Sequence, residues 1–138
     1  MDIATVEDKL IETVNALGIF ATLQSAGRMD IPPVYAYPAC FVFFDGDTDT
    51  GNVARPVDEV SFSVVVQSQN LSFEQQAAHD IYSINDQVRG AIRSKVLGLA
   101  DIEPFTCVSR QCTGYDDSDG VIEYTHIYRT RLYNQVVV

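Results

Sequence analysis

The spacing of apolar residues predicts a helix near the start of the chain. Thr5 and Asp8 form a capping-box pattern, and Gly18 stands where a helix commonly ends. Between them, apolar residues recur every three or four positions, opposite charged residues, which is the period of an amphipathic helix. These apolar residues are Val6, Leu10, Val14 and Leu17. We therefore predict a helix over about Thr5 to Leu17.

A second, longer stretch has the same helical period. Ser72, followed by Gln75 three residues later, marks its start. Gly90 is its weakest position, because glycine disfavours the interior of a helix. One face stays apolar through Phe73, Ala77, Ile81, Ile84, Val88, Ala91 and Leu99. We predict that this helix runs to about Val96.

Alternation of apolar and polar residues predicts strands in the middle of the chain. Val60 to Gln67 alternates clearly, with Val65 as the exception on its polar face. Ala39 to Asp45 is apolar on both faces, which is typical of a strand that is covered on two sides or lies at a subunit contact. The short apolar run from Ile19 to Gln24 fits either a strand or a continuation of the first helix.

Turn-forming residues mark two loops. Ser25 to Pro38 contains Gly27 and several prolines, which cannot donate to a strand ladder, so we predict an extended loop there. Asp45 to Asn52 is rich in aspartate, glycine and threonine, and this composition predicts a projecting loop.

The last part of the chain predicts a β-hairpin. Phe105 to Thr113 and Val121 to Tyr133 are β-rich and are joined by an acidic turn from Gly114 to Gly120. At about 3.3 Å per residue, the last strand spans on the order of 40 Å. One of its faces carries Ile122, Tyr124, His126, Tyr128, Thr130 and Leu132, and the other carries Glu123, Thr125, Arg129 and Arg131.

The order of these elements is α-β(β)-β-α-β-β. It predicts the α+β class, with a largely antiparallel (mixed) β-sheet and two helices packed on it. The chain has 138 residues, of which 46% are apolar. A globular chain of this size buries roughly two-thirds of its unfolded surface, so we expect a single domain over residues 1–138.

The net negative charge and the lack of a long apolar run limit the classes of function that the sequence fits. Nine Lys and Arg stand against nineteen Asp and Glu, for a formal net charge of −10. Sequence-independent binding to nucleic acid needs clustered cations, which disfavours a DNA-gripping protein. The sequence has no signal-peptide pattern and no apolar run of the ~18 residues that span a membrane. We expect a soluble protein that is made in a cytoplasm.

The three cysteines, Cys40, Cys107 and Cys112, have no spacing typical of a zinc site. Their odd number indicates a reducing compartment. Cys107 and Cys112 are five residues apart, which places them on opposite faces of a regular strand. We interpret all three as small buried apolar residues.

Two acidic clusters are candidates for metal binding. Asp45, Asp47 and Asp49 match the first ligand positions of a calcium loop. Thr50 then occupies the place of the required glycine, and Pro56 occupies that of the bidentate glutamate. We interpret this cluster as a solvated turn, and we interpret Asp116, Asp117 and Asp119 in the same way.

Neither of the two histidines supports an enzyme claim. His79 falls at the edge of the apolar stripe of the second helix, and His126 lies between two tyrosines of the last strand. Packing of a sheet on a helix or a subunit produces the same setting. The common phosphate-binding, hydrolase and zinc-protease motifs are absent from the sequence. We therefore predict no catalytic residue, cofactor or metal ion, and a binding or structural module rather than an enzyme.

Nearly the whole chain resembles the tail-terminator (tail-completion) proteins of tailed bacteriophages, most nearly the small acidic type of Mu-like phages and prophages. The resemblance lies in the opening helix ATVEDKLIETVNAL and in the proline-rich stretch and strand IPPVYAYPACFVFFDGD. It continues in the strand EVSFSVVVQSQN, the helix SFEQQAAHDIYSINDQVRGAIRSKV and the closing strand DGVIEYTHIYRTRLY.

The resemblance implies a structural virion protein. Such a protein forms a hexameric ring that caps the tail tube, ends tail polymerisation and joins the tail to the head connector. Its partners are the tail tube protein and the head-tail connector protein, and its location is the virion tail, assembled in the cytoplasm of the bacterial host. DNA passes through the ring without specific binding, which suits an acidic protein. No membrane is involved.

The sequence also suggests which surfaces serve such a ring. Subunit contacts fit the two-sided strand and the long last strand, through Phe41, Phe43, Arg129 and Arg131. A partner or channel surface fits the acidic clusters Asp45, Asp47, Asp49, Asp116, Asp117 and Asp119. Two alternatives stay open: a neck or head-completion protein, and a non-viral cytoplasmic α+β protein that binds a ligand or is a small enzyme without a recognisable motif.

Overall fold

The structure, a computed structural model, describes residues 2–25, 35–51, 56–70, 74–116 and 118–133. Its elements in chain order are α1 (Ile3–Asn15), β1 (Thr22–Ser25), β2 (Ala39–Asp49), β3 (Val57–Gln69), α2 (Glu74–Ile92), β4 (Thr106–Asp116) and β5 (Val121–Tyr133). The predicted α+β class and order of elements are confirmed. Neither described helix has the length and apolarity that crossing a membrane requires.

The described strands form a five-stranded sheet in the order β1-β2-β3-β5-β4. β1 is parallel to β2, and the other neighbours are antiparallel, so the sheet is mixed as predicted. The central ladder joins β3 and β5 without a register shift, from Val57↔Tyr133 to Gln69↔Val121. This ladder therefore assigns each of its side chains to a fixed face of the sheet.

Both helices pack on one face of the sheet. The even-numbered residues of β3 and β5 point to this face because side chains alternate along a strand. Helix residues that repeat at three or four positions cover them. The buried cluster contains Val6, Leu10 and Val14 of α1, Ile81, Ile84, Val88 and Ile92 of α2, and Val60, Phe62, Val64, Val66, Ile122, Tyr128 and Leu132 of the sheet.

Helix α1 begins earlier than predicted. Asp2 is its N-cap, and the Asp2 carboxylate accepts a hydrogen bond of 2.7 Å from the Thr5 N–H. Hydrogen bonding from the Thr5 side chain, and then from its N–H, lowers the pKa of Asp2. The predicted start at Thr5 is wrong because an acid three residues upstream already satisfies a free backbone donor. The helix ends at Asn15, and Gly18 follows with φ +67°, a conformation that glycine adopts readily.

Helix α2 ends at Ile92, short of the predicted Val96. Ser94 adopts a positive φ of 64° and donates its N–H to the Phe105 carbonyl at 2.8 Å. The tertiary contact with the chain before β4 thus ends the helix. The predicted start at Ser72 lies outside the described residues.

The run from Ile19 to Gln24 resolves in favour of the short strand, since β1 covers Thr22–Ser25. Most of the predicted extended loop, residues 26–34, lies outside the described residues, and Ser25 itself belongs to β1.

The predicted projecting loop from Asp45 to Asn52 is wrong as far as Asp49. β2 continues to Asp49 and pairs with β3, with Gly46 opposite Ser61 and Asp49 opposite Asp58. The register shifts between Phe44 and Gly46, so Asp45 forms a β-bulge. The bulge lets turn-forming residues stay within a paired strand. Asn52 lies outside the described residues.

The predicted β4–β5 hairpin is confirmed, with a shorter turn. β4 continues through Gly114 to Asp116, three residues beyond the predicted end at Thr113. Register shifts between Cys107 and Ser109 and between Cys112 and Gly114 add two bulges to this strand.

Two phenylalanine rings in contact test which positions carry the core. The ring centroids of Phe62 and Phe44 lie 5.5 Å apart, but Phe62 is fully buried whereas Phe44 is 36% exposed. We expect Phe62→Ala to lower the free energy of unfolding by about 3–5 kcal/mol, because it leaves a buried cavity. Phe44→Ala should lose less than half of that. Equal losses in urea unfolding would contradict this assignment of the core.

Candidate functional site

The face of the sheet opposite the helices, called the second face below, carries most of the predicted contact residues. A cavity of about 520 Å³ lies on it between β2, β3, β5 and β4. The second face comprises Phe41, Phe43, Glu59, Ser63, Val65, Gln67, Thr113, Glu123, Thr125, Ile127, Arg129 and Arg131. It therefore combines an apolar part on β2 and β3 with a polar and charged part on β5.

The apolar part is built on β2. Phe41 is fully buried, and Phe43 is nearly so. The Tyr35 ring packs edge-on against Phe41 at 5.0 Å and lies 5.3 Å from Tyr37. The chain itself thus covers Phe41, which accounts for the strand being apolar on both faces. The predicted role of Phe41 and Phe43 in a subunit contact stays a prediction.

A chain of hydrogen bonds crosses the second face. The Tyr35 hydroxyl donates to Gln67 Oε1 at 2.6 Å, and Gln67 Nε2 donates to Glu123 Oε2 at 2.7 Å. The Thr113 hydroxyl donates to Glu123 Oε1 at 2.7 Å and lies 3.0 Å from the Thr125 hydroxyl. Side chains from three strands hold one another in place. The sequence could not show this series of hydrogen bonds, because the bonds depend on strand register.

Arg129 and Arg131 share one carboxylate of their own chain. Their Nε atoms lie 3.4 Å and 3.6 Å from the two oxygens of Glu59. Both side chains are about half exposed, at 47% and 51%. Two guanidinium groups carry ten N–H donors, far more than one carboxylate can accept. Most of these donors therefore remain for water or for a further acceptor.

The two acidic clusters lie at opposite ends of the sheet. Asp49 pairs with Asp58 near the start of β3, whereas Asp116 pairs with Val121, which in turn pairs with Gln69 at the end of β3. These ends are on the order of 35 Å apart. The described aspartates therefore do not form one patch in a single chain. Asp117 lies outside the described residues.

The first acidic cluster is divided by the bulge. The Asp45 carboxylate accepts a hydrogen bond of 2.5 Å from the Ser63 hydroxyl, on the second face. Asp47 is opposite Val60, whose side chain belongs to the core on the helix face. Among the described residues, no three His, Cys, Asp or Glu side chains converge as a metal site.

The second acidic cluster is ordered by local hydrogen bonds. The Asp116 carboxylate accepts from the Ser118 hydroxyl at 2.6 Å and from the Ser118 N–H at 3.0 Å. These bonds lower the pKa of Asp116. The Asp119 carboxylate accepts from the Val121 N–H at 3.1 Å. Both aspartates are exposed.

His126 is fully buried between α2 and the sheet, and both of its ring nitrogens have partners. Nε2 lies 2.8 Å from Asn85 Oδ1, and Nδ1 lies 2.8 Å from the Tyr128 hydroxyl. Because the Asn85 oxygen only accepts, Nε2 carries the proton and the Tyr128 hydroxyl donates to Nδ1. Burial lowers the pKa of His126 to about 4, and the charges of Arg110 and Arg89 act in the same direction. The imidazole is therefore neutral near pH 7.

Sequence reasoning missed Asn85 as the partner of His126. Asn85 follows Ile81 by four residues and is itself buried, so it stands on the apolar stripe of α2. A polar residue at such a position is a signal for a buried hydrogen bond. His79, in contrast, is exposed rather than at the edge of the buried stripe.

The cysteines follow the prediction only in part. Cys40 is buried, and burial raises the pKa of its thiol, whereas Cys107 is half-buried and Cys112 is exposed. Cys107 lies opposite Tyr128 and Cys112 opposite Tyr124, so both face the helix side. The predicted opposite faces are wrong because the bulge between Cys107 and Ser109 adds one residue to β4 between the two cysteines.

Comparison with known proteins gives a match in fold. No protein-family profile matches the chain, and no curated protein matches it. A solved structure described as the virion of a native gene transfer agent (GTA) particle contains a similar chain, with a TM-score of 0.57 and 12% identity. The match covers 94% of this chain and 95% of that chain. At this identity, the two chains share a fold.

The burial of His126 predicts a dependence of stability on pH. Burial lowers the pKa of the imidazole to about 4 in the folded chain, from an ordinary value of 6.5. Between these values the unfolded chain binds more protons, so stability falls as the pH falls from 6.5 to 4, by up to about 3 kcal/mol. His126→Gln should flatten this part of the urea-unfolding profile, and His79→Gln should not. An unchanged slope in His126→Gln would contradict the assignment.

Proposed function

We propose that this protein is a structural component of a phage-like virion, and that it forms a ring that caps the tail tube, ends tail polymerisation and joins the tail to the head connector. The observation that carries the proposal is the fold shared with a chain of a gene transfer agent virion over 94% of this chain. The resemblance of the sequence to tail terminators supports the finer assignment. The proposed role involves no catalysis, cofactor, metal ion or membrane.

The strand edges favour contacts through faces and ends rather than through an extended sheet. The outer strand β4 contains two bulges, and β2 bulges at Asp45 just beyond its pairing with β1. Bulges and charges on edge strands hinder pairing with another chain. A hexameric ring then needs a heterologous contact, in which two different surfaces of the subunit meet. The second face, with Arg129 and Arg131, is the proposed location of one of them.

The acidic clusters suit a protein that contacts more than one partner. Asp45, Asp47 and Asp49 lie at one end of the sheet, and Asp116 and Asp119 lie at the other. In the proposed ring, such ends face the tube, the connector, the next subunit or the channel. A net charge of −10 repels phosphates, so DNA passes without specific binding.

Association and tube binding test the proposed function. We expect light scattering over a concentration series to show a particle of six times the 15.3 kDa chain mass, alone or on addition of tail tubes. Electron microscopy should show the protein at tube ends, and tubes should stop growing when it is added. A ring that binds the head connector but not the tube would identify a neck or head-completion protein. A monomer that binds neither, and takes up a small ligand, would favour the non-viral alternative.

The arginine pair gives a sharper test of the subunit contact. Arg129→Gln with Arg131→Gln should leave the folded monomer intact, because exposed ion pairs are each worth under about 1 kcal/mol. Glutamine avoids the three adjacent carboxylates that glutamate would create beside Glu59. Ring formation should be lost in light scattering, while Glu59→Gln, the matched control, should retain it. Normal assembly of the double variant would show that the pair serves only its own chain.

A further inference from the structure

A groove of about 510 Å³ lies between α1 and the end of α2. Its floor is apolar and consists of Ala16, Ala91, Val96 and Leu97. Val96 is 38% exposed, which is high for an apolar side chain next to the core. The groove is on the helix side of the molecule, so it is distinct from the second face of the sheet.

Two cations border this apolar floor. Lys9 and Lys95, the two lysines of the whole chain, both line the groove, together with one carboxylate, that of Glu12. Lys9 Nζ lies 3.3 Å from Glu12 Oε2 on the same helix, an exposed contact of small energetic value. In a chain with nineteen acids and nine bases, both lysines thus lie beside one exposed apolar surface. Such a surface is complementary to an acidic segment that also carries an apolar side chain.

The turn that presents Lys95 is held rigidly. Ser94, Leu97 and Gly98 have positive φ values of 64°, 53° and 71°. Such angles are costly for residues other than glycine and persist only where the surroundings enforce them. Here the Ser94 N–H donates to the Phe105 carbonyl at 2.8 Å, and the Phe105 N–H donates to the Lys95 carbonyl at 3.0 Å. Lys95 and Val96 therefore occupy fixed positions, which lowers the entropy lost on binding.

The turn between β4 and β5 has the complementary chemistry. It carries the exposed carboxylates of Asp116 and Asp119, which local hydrogen bonds hold in place. Beside them, Tyr115 is 42% exposed, which is unusual for a large aromatic side chain. Aromatic side chains of this kind commonly anchor interfaces between proteins.

The groove and the turn lie at opposite ends of the same molecule. β5 begins at the turn with Val121, and near its other end Leu132 bridges to Ile102, four residues after Gly98 of the groove. The separation is on the order of 35 Å. The turn of one chain therefore cannot reach its own groove, but it can reach the groove of another copy. Repeated head-to-tail contacts of this kind close into a ring when the rotation per subunit permits it.

We propose that the β4–β5 turn of one copy docks into the Lys9–Lys95 groove of the next copy. Asp116 and Asp119 then pair with the lysines, and Tyr115 packs on Val96 and Leu97. This inference rests on the ring proposed above and names the two surfaces that join its subunits. It acts together with the contact at Arg129 and Arg131, which belongs to a different face.

A charge-swap experiment tests the contact. Lys9→Glu with Lys95→Glu, and separately Asp116→Lys with Asp119→Lys, should each raise the concentration at half-assembly at least about tenfold. Mixing the two variants, or combining all four changes in one chain, should restore assembly. Asp116→Asn with Asp119→Asn removes two charges but keeps the side-chain acceptors of the turn, so the turn should stay folded. This variant should weaken assembly, and it tests the contact even if the lysine variant misfolds. Thermal unfolding of each variant checks that the monomer is folded.

Matched controls use exposed charges outside the groove. Arg93→Glu with Asp8→Lys reverses one exposed base directly after α2 and one exposed acid on α1, and it should leave assembly unchanged. Loss of assembly in this control would overturn the proposal, because reversing charges outside the groove would then have the same effect as reversing those inside it. If both charge variants form rings as readily as the wild-type chain, the proposed contact is also wrong. The proposed function is then unaffected.

Two further outcomes separate the inference from the proposed function. If the lysine variant forms rings but no longer caps tubes, the groove binds the tube protein and the proposed contact between copies is wrong. If the wild-type chain stays monomeric both alone and at tube ends, the proposed ring and this contact both fail.

Discussion

The unbroken ladder between β3 and β5 is the constraint on which the rest of the structure depends. Its register places Phe62 beside Tyr128 on the helix side and Glu59 beside Arg131 on the second face. A shift of one residue would exchange these sets, burying charges and exposing aromatic rings. Each side of the ladder therefore stabilises the other: the packing of the core fixes the register, and the register assembles the polar surface.

The irregularities of the sheet lie outside its central β3–β5 ladder. β2 and β4 carry the bulges, while β3 and β5 pair without interruption. Bulges bend a strand and leave a residue unpaired, which costs little at an edge and would disrupt packing at the centre. In this chain they also place the side chains of Asp45 and Thr113 on the second face, where both make hydrogen bonds. The same bulges make the edges poor templates for further strands.

Periodicity in the sequence predicted those helices and strands that pack one face against the core along most of their length. The alternation in β3 and the helical spacing in α2 were sufficient because one face of each packs against the core. The segment from Asp45 to Asp49 was predicted as a loop because its composition is that of a turn, and only pairing with β3 makes it a strand. Local propensity is outweighed there by contacts with residues distant in sequence.

In the candidate surfaces too, the sequence predicted what local alternation determines and not what depends on distant residues. The sequence placed Arg129 and Arg131 on one face correctly, because alternation alone determines that. It could not place Glu59 beneath them, or Asn85 beside His126, because those pairings are made by the fold. The sequence could not predict the lysine groove for a similar reason, since Lys9 and Lys95 are far apart in the sequence.

Net charge and local charge have different consequences for assembly of such a protein. Without salt, repulsion between chains of net charge −10 would act over long distances. At physiological ionic strength it is largely screened beyond about 8 Å. Contacts between opposite charges within about 4 Å are screened less, and apolar contacts are not screened by this mechanism at all. Local complementarity therefore decides whether copies associate. The net charge still repels a polyanion such as DNA, so in the proposed ring the subunits would bind one another while repelling nucleic acid.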